Sequence, residues 1–481
     1  GDGSNLTGAG FAPDADENLK AGTDAGANLD GTNACFNVLL GKDAGKCITS
    51  GLKNISLGYK AGAITSASEG RCNVFIGSYT GNKITTGCNN IGIGDYTGQG
   101  NTTGKWNISI GLYAGSSCAD TKGRNISVGR CTNLRTYGEK NIAIGENAGQ
   151  GTAPSSTGDN VGNDNIFMGT DSGRCITTGD YNTLFGISAG CKITSGSSNV
   201  FLGRYAGRDT TTGSNNIAIG ERALMDGITG GDDNIFLGYY AGNGVTTGGD
   251  NIFLGESAGR CLETGSQNIG LGRDAMGHGQ VTGSQNLAIG CRSGRYITSG
   301  TLNIALGQLA LGTGTVTGQQ NIAFGVSAGT DITSGGYNIL FGRNIASGMT
   351  TGSNNIAMGT GTLGGDLATT VTGNNNVMLG NLIAVAATSA ERNTIVGANA
   401  GRCLTTTGYN ALFGAYAGIR MRGAYNTAFG AFALGGSGTA ANNTGGCNIA
   451  LGKSSGAGMT SGKCNVILGQ CAGYKTTSGP G

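Results

Sequence analysis

The chain is predicted to fold as an all-β protein, a parallel β-solenoid or β-roll of about 25 coils with a repeat of 17–18 residues. Three observations predict this. A pentad Asn-x-x-x-Gly recurs through the sequence. Its second and fourth residues are apolar with period two. Each pentad is followed by glycine-bounded turns too close together to hold a helix pair.

The pentad is explicit in Asn216-Ile-Ala-Ile-Gly220, Asn234-Ile-Phe-Leu-Gly238, Asn251-Ile-Phe-Leu-Gly255 and Asn268-Ile-Gly-Leu-Gly272. It occurs 25 times between Asn37 and Asn465, mostly 16 to 19 residues apart. Longer spacings read as loop insertions at Gly149–Asp164, Gly359–Asn375 and Gly430–Gly446. If a receptor is bound, these are its candidate contacts, since solenoid insertions gather on a binding face. The expected organisation is an N-terminal lead over 1–36, the repeat array over 37–475 and a tail over 476–481.

Composition excludes the main alternatives. Gly supplies 97 of 481 residues and charged residues only 12%, about half the usual share. Disorder would need low hydrophobicity with high net charge, but apolar residues are 37% and the net charge is +2. Collagen needs Gly at every third residue and abundant Pro, and there are 3 prolines.

Within each unit, the pentad is the first strand. Positions two and four share a face and are expected to line the coil interior, opposite an Ala at position eight and an Ile, Leu or Val near position twelve (Ala241 and Val245; Ala328 and Ile332). The closing Gly (Gly220, Gly238, Gly255, Gly272) suggests positive φ or very close backbone approach. Thr-Thr-Gly reads as the exit turn of a second strand. The recurrent Asn (Asn216, Asn234, Asn251, Asn268) fits a side-chain amide ladder along the axis or a cap on each coil's own turn; both roles are structural.

On this assignment the third position points outward. It carries Phe75, Phe167, Phe201, Phe236, Phe253, Leu340 and Leu412, with Ala, Gly or Ser in many other copies and no charge in any. An apolar outer stripe marks an interface, so these residues are expected to pack against sister chains about a common axis; a monomer whose own loops cover the stripe is the alternative. At about 4.8 Å per strand, 25 coils would make a rod of about 120 Å, held by neighbour stacking.

Little in the sequence points to catalysis. The single histidine, His278, lies between two glycines and reads as a solvated loop residue. Asp232-Asp233 and the Asp14/Asp16 pair read as solvated turns, with adventitious Ca²⁺ the alternative. No cofactor or metal is expected, and the chain is not expected to be an enzyme. Lys and Arg (30) nearly balance Asp and Glu (28) without clustering, against nucleic acid as a partner. No run of 18 apolar residues predicts membrane insertion. Fourteen cysteines lack a Cys-x-x-Cys pair, which weakens a zinc reading. Cys447 and Cys464 sit one coil apart at the same position, about 5 Å apart if stacked, compatible with a disulfide or with two packed free thiols, the favoured reading.

The motif Asn-Ile-Ala-Ile-Gly-x-x-Ala-Gly resembles the head repeat of YadA-type trimeric autotransporter adhesins. It is still more similar to the longer Asn-Thr-Gly repeats of phage tail-fibre proteins, over roughly residues 37–475. The segments Gly1–Gly8 and Phe11–Leu19 resemble stretches of virion structural proteins, including those of marine cyanophage-like viruses. The family implies a homotrimeric fibre whose small third-position residue faces the three-fold axis. It further implies a virion location, other tail proteins as partners and a host surface glycan or protein as receptor. The adhesin repeat is nearer 14 residues, and no coiled-coil stalk, membrane anchor or C-terminal chaperone domain is recognisable. The chain starts without Met, so longer native ends are expected. A bacterial surface adhesin or extracellular filament is the alternative. Ice binding is remote, because adjacent threonines point to opposite faces.

Overall fold

A computed structural model describes residues 13–62, 67–116, 123–133, 138–151, 162–226, 230–364, 370–436, 442–474 and 478. The chain divides into two units, Gly1–Tyr240 and Ala241–Gly481. The first holds thirteen three-residue strands, from Leu19–Ala21 to Ile235–Leu237, and the second thirteen more, from Ile252–Leu254 to Val466–Leu468. There is no helix among the described residues. Within each unit every strand pairs in parallel and in register with the next in the chain. Thr183, Leu184 and Phe185, for example, lie beside Val200, Phe201 and Leu202. Equal pentad positions therefore stack, as a β-solenoid with a repeat of about 17 residues requires. At about 4.8 Å per strand, thirteen coils make each unit roughly 60 Å long.

The array begins one coil earlier than the sequence suggests. Leu19–Ala21 pairs with Val38–Leu40, and Asn18 through Gly22 is a full pentad inside the expected lead. Its third position is the charged Lys20, exposed and ion-paired to Asp14 at 3.0 Å.

The interior is the reverse of the expected one. Strand after strand shows a buried middle residue between two partly or fully exposed ones. The middle residue is pentad position three. Period two explains the assignment: Asn at position one, the variable residue at three and Gly at five share one face, and the residues at two and four share the other. Because the Asn face is the inner one, positions two and four are outside. The expected partners across the coil are in place: Ala44, Ala189 and Ala241 at position eight and Ile48, Ile193 and Val245 at position twelve are all buried. In places bulk alternates along the axis at position three. Phe75 lies between Ser56 and Gly92, and Phe253 lies beside Gly270, so one large ring fills the space its neighbour leaves.

The expected second strand is not a ladder. Its traces are isolated parallel bridges such as Leu262 to Val281 and Ile297 to Val316. At Thr194, a single carbonyl accepts the N–H groups of Thr177, Thr178 and Gly179 at 2.9, 3.1 and 3.2 Å, and this convergence replaces alternating strand pairing. In several coils the first threonine of the pair adds a side-chain bond to the next coil, as Thr177 Oγ1 does to the Thr194 carbonyl at 2.9 Å.

Corners are made by left-handed backbone. In the coil of Asn199 they fall at Ser198 (φ 58°), Tyr205 (φ 63°) and Gly207 (φ 58°). The pentad Gly is different in kind. Gly203 has φ 141°, and a Cβ there would lie 2.5 Å from the Gly220 carbonyl oxygen of the next coil. Both reasons anticipated for this glycine hold at once.

Candidate interaction surface

The amide ladder sits inside each unit. Asn199 donates its backbone N–H and its Nδ2 to Asn182 Oδ1, both at 3.0 Å, and Nδ2 also to the Gly213 carbonyl at 2.9 Å. Asn216 repeats the pattern onto Asn199 and the Gly231 carbonyl, and Asn234 its two donations onto Asn216. In the second unit Asn268 donates in the same way to Asn251 Oδ1 and the Gly283 carbonyl. These asparagines are fully buried. Of the two roles open in sequence, both are filled: the side chain bonds along the axis and also ties down its own coil's exit turn. At the N-terminal end Asp14 takes the place of an earlier Asn, its Oδ1 accepting from the Asn18 N–H at 2.8 Å and Nδ2 at 3.1 Å. Burial pushes the Asp14 carboxyl up, but the Asn18 N–H and Lys20 outweigh it and hold it below its ordinary value.

Phe75, Phe167, Phe201, Phe236, Phe253, Leu340 and Leu412, expected on an inter-chain seam, are at most 4% exposed within the chain itself. They are core residues and cannot form that seam. The exposed apolar columns are pentad positions two and four. Ile91, Ile93, Ile110, Ile144 and Ile219 in the first unit are 37–38% exposed, and Phe324, Phe341, Ile449 and Leu451 in the second are 43–49% exposed. None of the 26 strands carries a charge at either position. Phe324 and Phe341 stack with ring centroids 4.4 Å apart. With roughly 40–70 Å² left exposed per residue, the two columns of one unit present on the order of 1,000 Å² or more. That exceeds the largest apolar patch of an ordinary monomer, about 300–600 Å², and matches the roughly 800 Å² that each partner gives to a stable interface.

A tyrosine column at the turns was not anticipated. Tyr59, Tyr79, Tyr96 and Tyr113 follow one another at centroid spacings of 5.0–5.3 Å, with Lys60 Nζ over the first two rings. Its sequence signal is an aromatic one or two residues after the pentad Gly in successive copies.

The remaining sequence candidates have these surroundings. His278 Nε2 faces Arg295 Nη2 at 2.8 Å. Burial first, then the Arg295 charge, holds its pKa below the ordinary value, so the neutral ring accepts the Arg295 proton donor. Asp232 Oδ1 accepts the Ser214 N–H at 2.7 Å and so fastens a turn. Cys447 and Cys464 are exposed free thiols, in register two residues before the paired Ile449 and Val466. Among the described residues no three His, Cys, Asp or Glu side chains converge on one point, and no helix is long and apolar enough to cross a membrane. Within the three insertion loops, 152–161, 365–369 and 437–441 lie outside the described residues. No protein-family model matches the chain, and no curated protein is similar to it.

Proposed function

We propose that this chain is the shaft of a virion appendage of the tail-fibre kind, in which sister chains pack their outer sheet faces together about a common three-fold axis. The observation that carries the reading is the pair of uncharged apolar columns at pentad positions two and four. Water-facing sheets alternate polar residues on their outer side; here Ile, Val, Leu and Phe dominate where Lys, Glu and Thr would serve a solitary solenoid. The buried amide ladder suits a load-bearing rod, because each coil is bonded to the next by side chain as well as main chain. The likeness of the pentad and of the N-terminal segment to phage fibre sequences supports a virion location, with other tail proteins at one end and a host surface glycan or protein as receptor.

Light scattering on the full chain tests this. A mass near three times 47.8 kDa is expected. Lysine at four successive outer positions (Ile252→Lys, Ile269→Lys, Leu287→Lys, Ile304→Lys) should lower the mass toward one chain while the β circular-dichroism signal persists. A native chain that scatters as a monomer would overturn the proposal.

A further inference from the structure

At one corner of several described coils, the backbone N–H just before the position-twelve residue reaches a carbonyl of the next coil one position earlier in the repeat. Asn28 donates in this way to Lys46 at 3.1 Å, and Lys192 to Arg208 at 2.9 Å. Among the described residues this one-position offset joins two cysteines at a single corner, where the Cys175 N–H donates to the Cys191 carbonyl at 3.0 Å. Such a bond sets the two Cα atoms roughly 5–6 Å apart, inside the 4.4–6.8 Å range that a disulfide spans. Both cysteines are only partly buried, so a small oxidant can reach them.

We propose that Cys175 and Cys191 are an oxidation site that closes into a disulfide, clasping two neighbouring coils of the first unit. The inference stands whether or not the chain self-associates. The charge setting favours the reaction. The Cys191 thiol donates to Cys175, and with Arg174 and Lys192 nearby the Cys175 thiol falls to about 6 against the opposing effect of burial, while Cys191 is pushed up. Cys175 is therefore the attacking thiolate. With a low-molecular-weight disulfide such as oxidised glutathione as oxidant, Cys175 sulfur attacks one sulfur, the S–S bond breaks and one glutathione thiolate leaves. Cys191 then loses its proton and attacks the Cys175 sulfur of the mixed disulfide, and the second glutathione thiolate leaves. Two protein thiols are oxidised, and one glutathione disulfide is reduced to two glutathione thiols.

The test uses the full native chain and oxidised glutathione. After exposure, remaining thiols are blocked with N-ethylmaleimide, and the chain is denatured and digested with trypsin without reductant. Trypsin cuts after Arg174 and Lys192, so peptide 175–192 carries both cysteines and no other. It should be lighter by two hydrogens and take no maleimide, while peptides holding Cys72 or Cys403 carry maleimide or glutathione. In Cys191→Ser, Cys175 should retain glutathione, because nothing resolves the mixed disulfide. Closure should be at least about tenfold slower in urea, where the coils no longer hold the pair together. A 175–192 peptide bearing two maleimides or two glutathiones after native oxidation would overturn the proposal, as would equal closure rates with and without urea.

Discussion

Removing one rung of the amide ladder should open the solenoid locally and strongly. Asn216 is suited to the test, because both neighbouring rungs, Asn199 and Asn234, belong to the same unit. In Asn216→Ala the Asn234 N–H loses its acceptor (3.1 Å), one Asn234 amide hydrogen loses a partner (3.0 Å) and the Gly231 carbonyl loses a donor (2.9 Å). Each buried group left without a partner costs about 1–3 kcal/mol, so the three together make the rung worth about 3–9 kcal/mol. Amide hydrogen exchange read by mass spectrometry should then rise about 10²–10⁶-fold around Asn199–Leu237, with remote coils such as those around Phe75 unchanged, because solenoid coupling runs between neighbours. Asn216→Asp sharpens the test. A carboxylate can still accept from Asn234, but it can donate nothing and would face Asn199 Oδ1 and the Gly231 carbonyl. At neutral pH it should be worse than alanine, and acid should restore part of the loss by protonating it. Wild-type exchange in the aspartate variant at pH 7, or exchange raised equally everywhere by Asn216→Ala, would refute the ladder as the element joining the coils.

Three further outcomes follow from the same interior. Ser56 occupies position three, fully buried, with an Oγ that meets no partner; Ser56→Ala should stabilise the first unit by about 1–2 kcal/mol in urea unfolding, since alanine serves at this position in other coils. Gly203→Ala should cost more than about 3 kcal/mol, because left-handed strain adds to a Cβ only 2.5 Å from the Gly220 oxygen, and expression with loss of cooperative unfolding would report it. The depressed pKa of Asp14 makes the N-terminal cap acid-labile. Its contribution is full above the ordinary value of 3.8 and is lost as pH falls through the lower folded value. Protection of Asn18 and Leu19, taken relative to intrinsic exchange at the same pH, should therefore fall on acidification, and Asp14→Asn, which keeps an acceptor, should flatten that dependence.

Much of this architecture was legible in the residues themselves. The pentad fixed coil length and register, the Gly announced a position no side chain can occupy, and the positions of Ala and Ile eight and twelve residues along were read correctly as interior. The face of the strand was not. Position three and positions two and four are nearly all apolar or small, so the usual polar and apolar alternation that tells inside from outside is missing. The arbiter was the Asn. An amide repeated in every coil must be shielded to bond its own copy, and period two then forces position three to its side of the strand. The Asn18 coil escaped notice because Lys20 stands where other coils place an apolar or small residue. Cys175 and Cys191 were not paired because they differ by one position in the repeat, and only the offset of the corner hydrogen bond brings them together.

The ladder runs one way. Within each unit a rung offers its oxygen to the coil that follows and its hydrogens to the coil before, as Asn216 does between Asn199 and Asn234, so a coil is defined by what it hands forward. A gene encoding such a protein can gain or lose a whole repeat by unequal recombination, and the new junction inherits every bond of the old one. Length is then a heritable variable that can change without redesign of the interior. The coil of Asn18 is served by a different group, the Asp14 carboxylate, which accepts where other coils have the preceding asparagine.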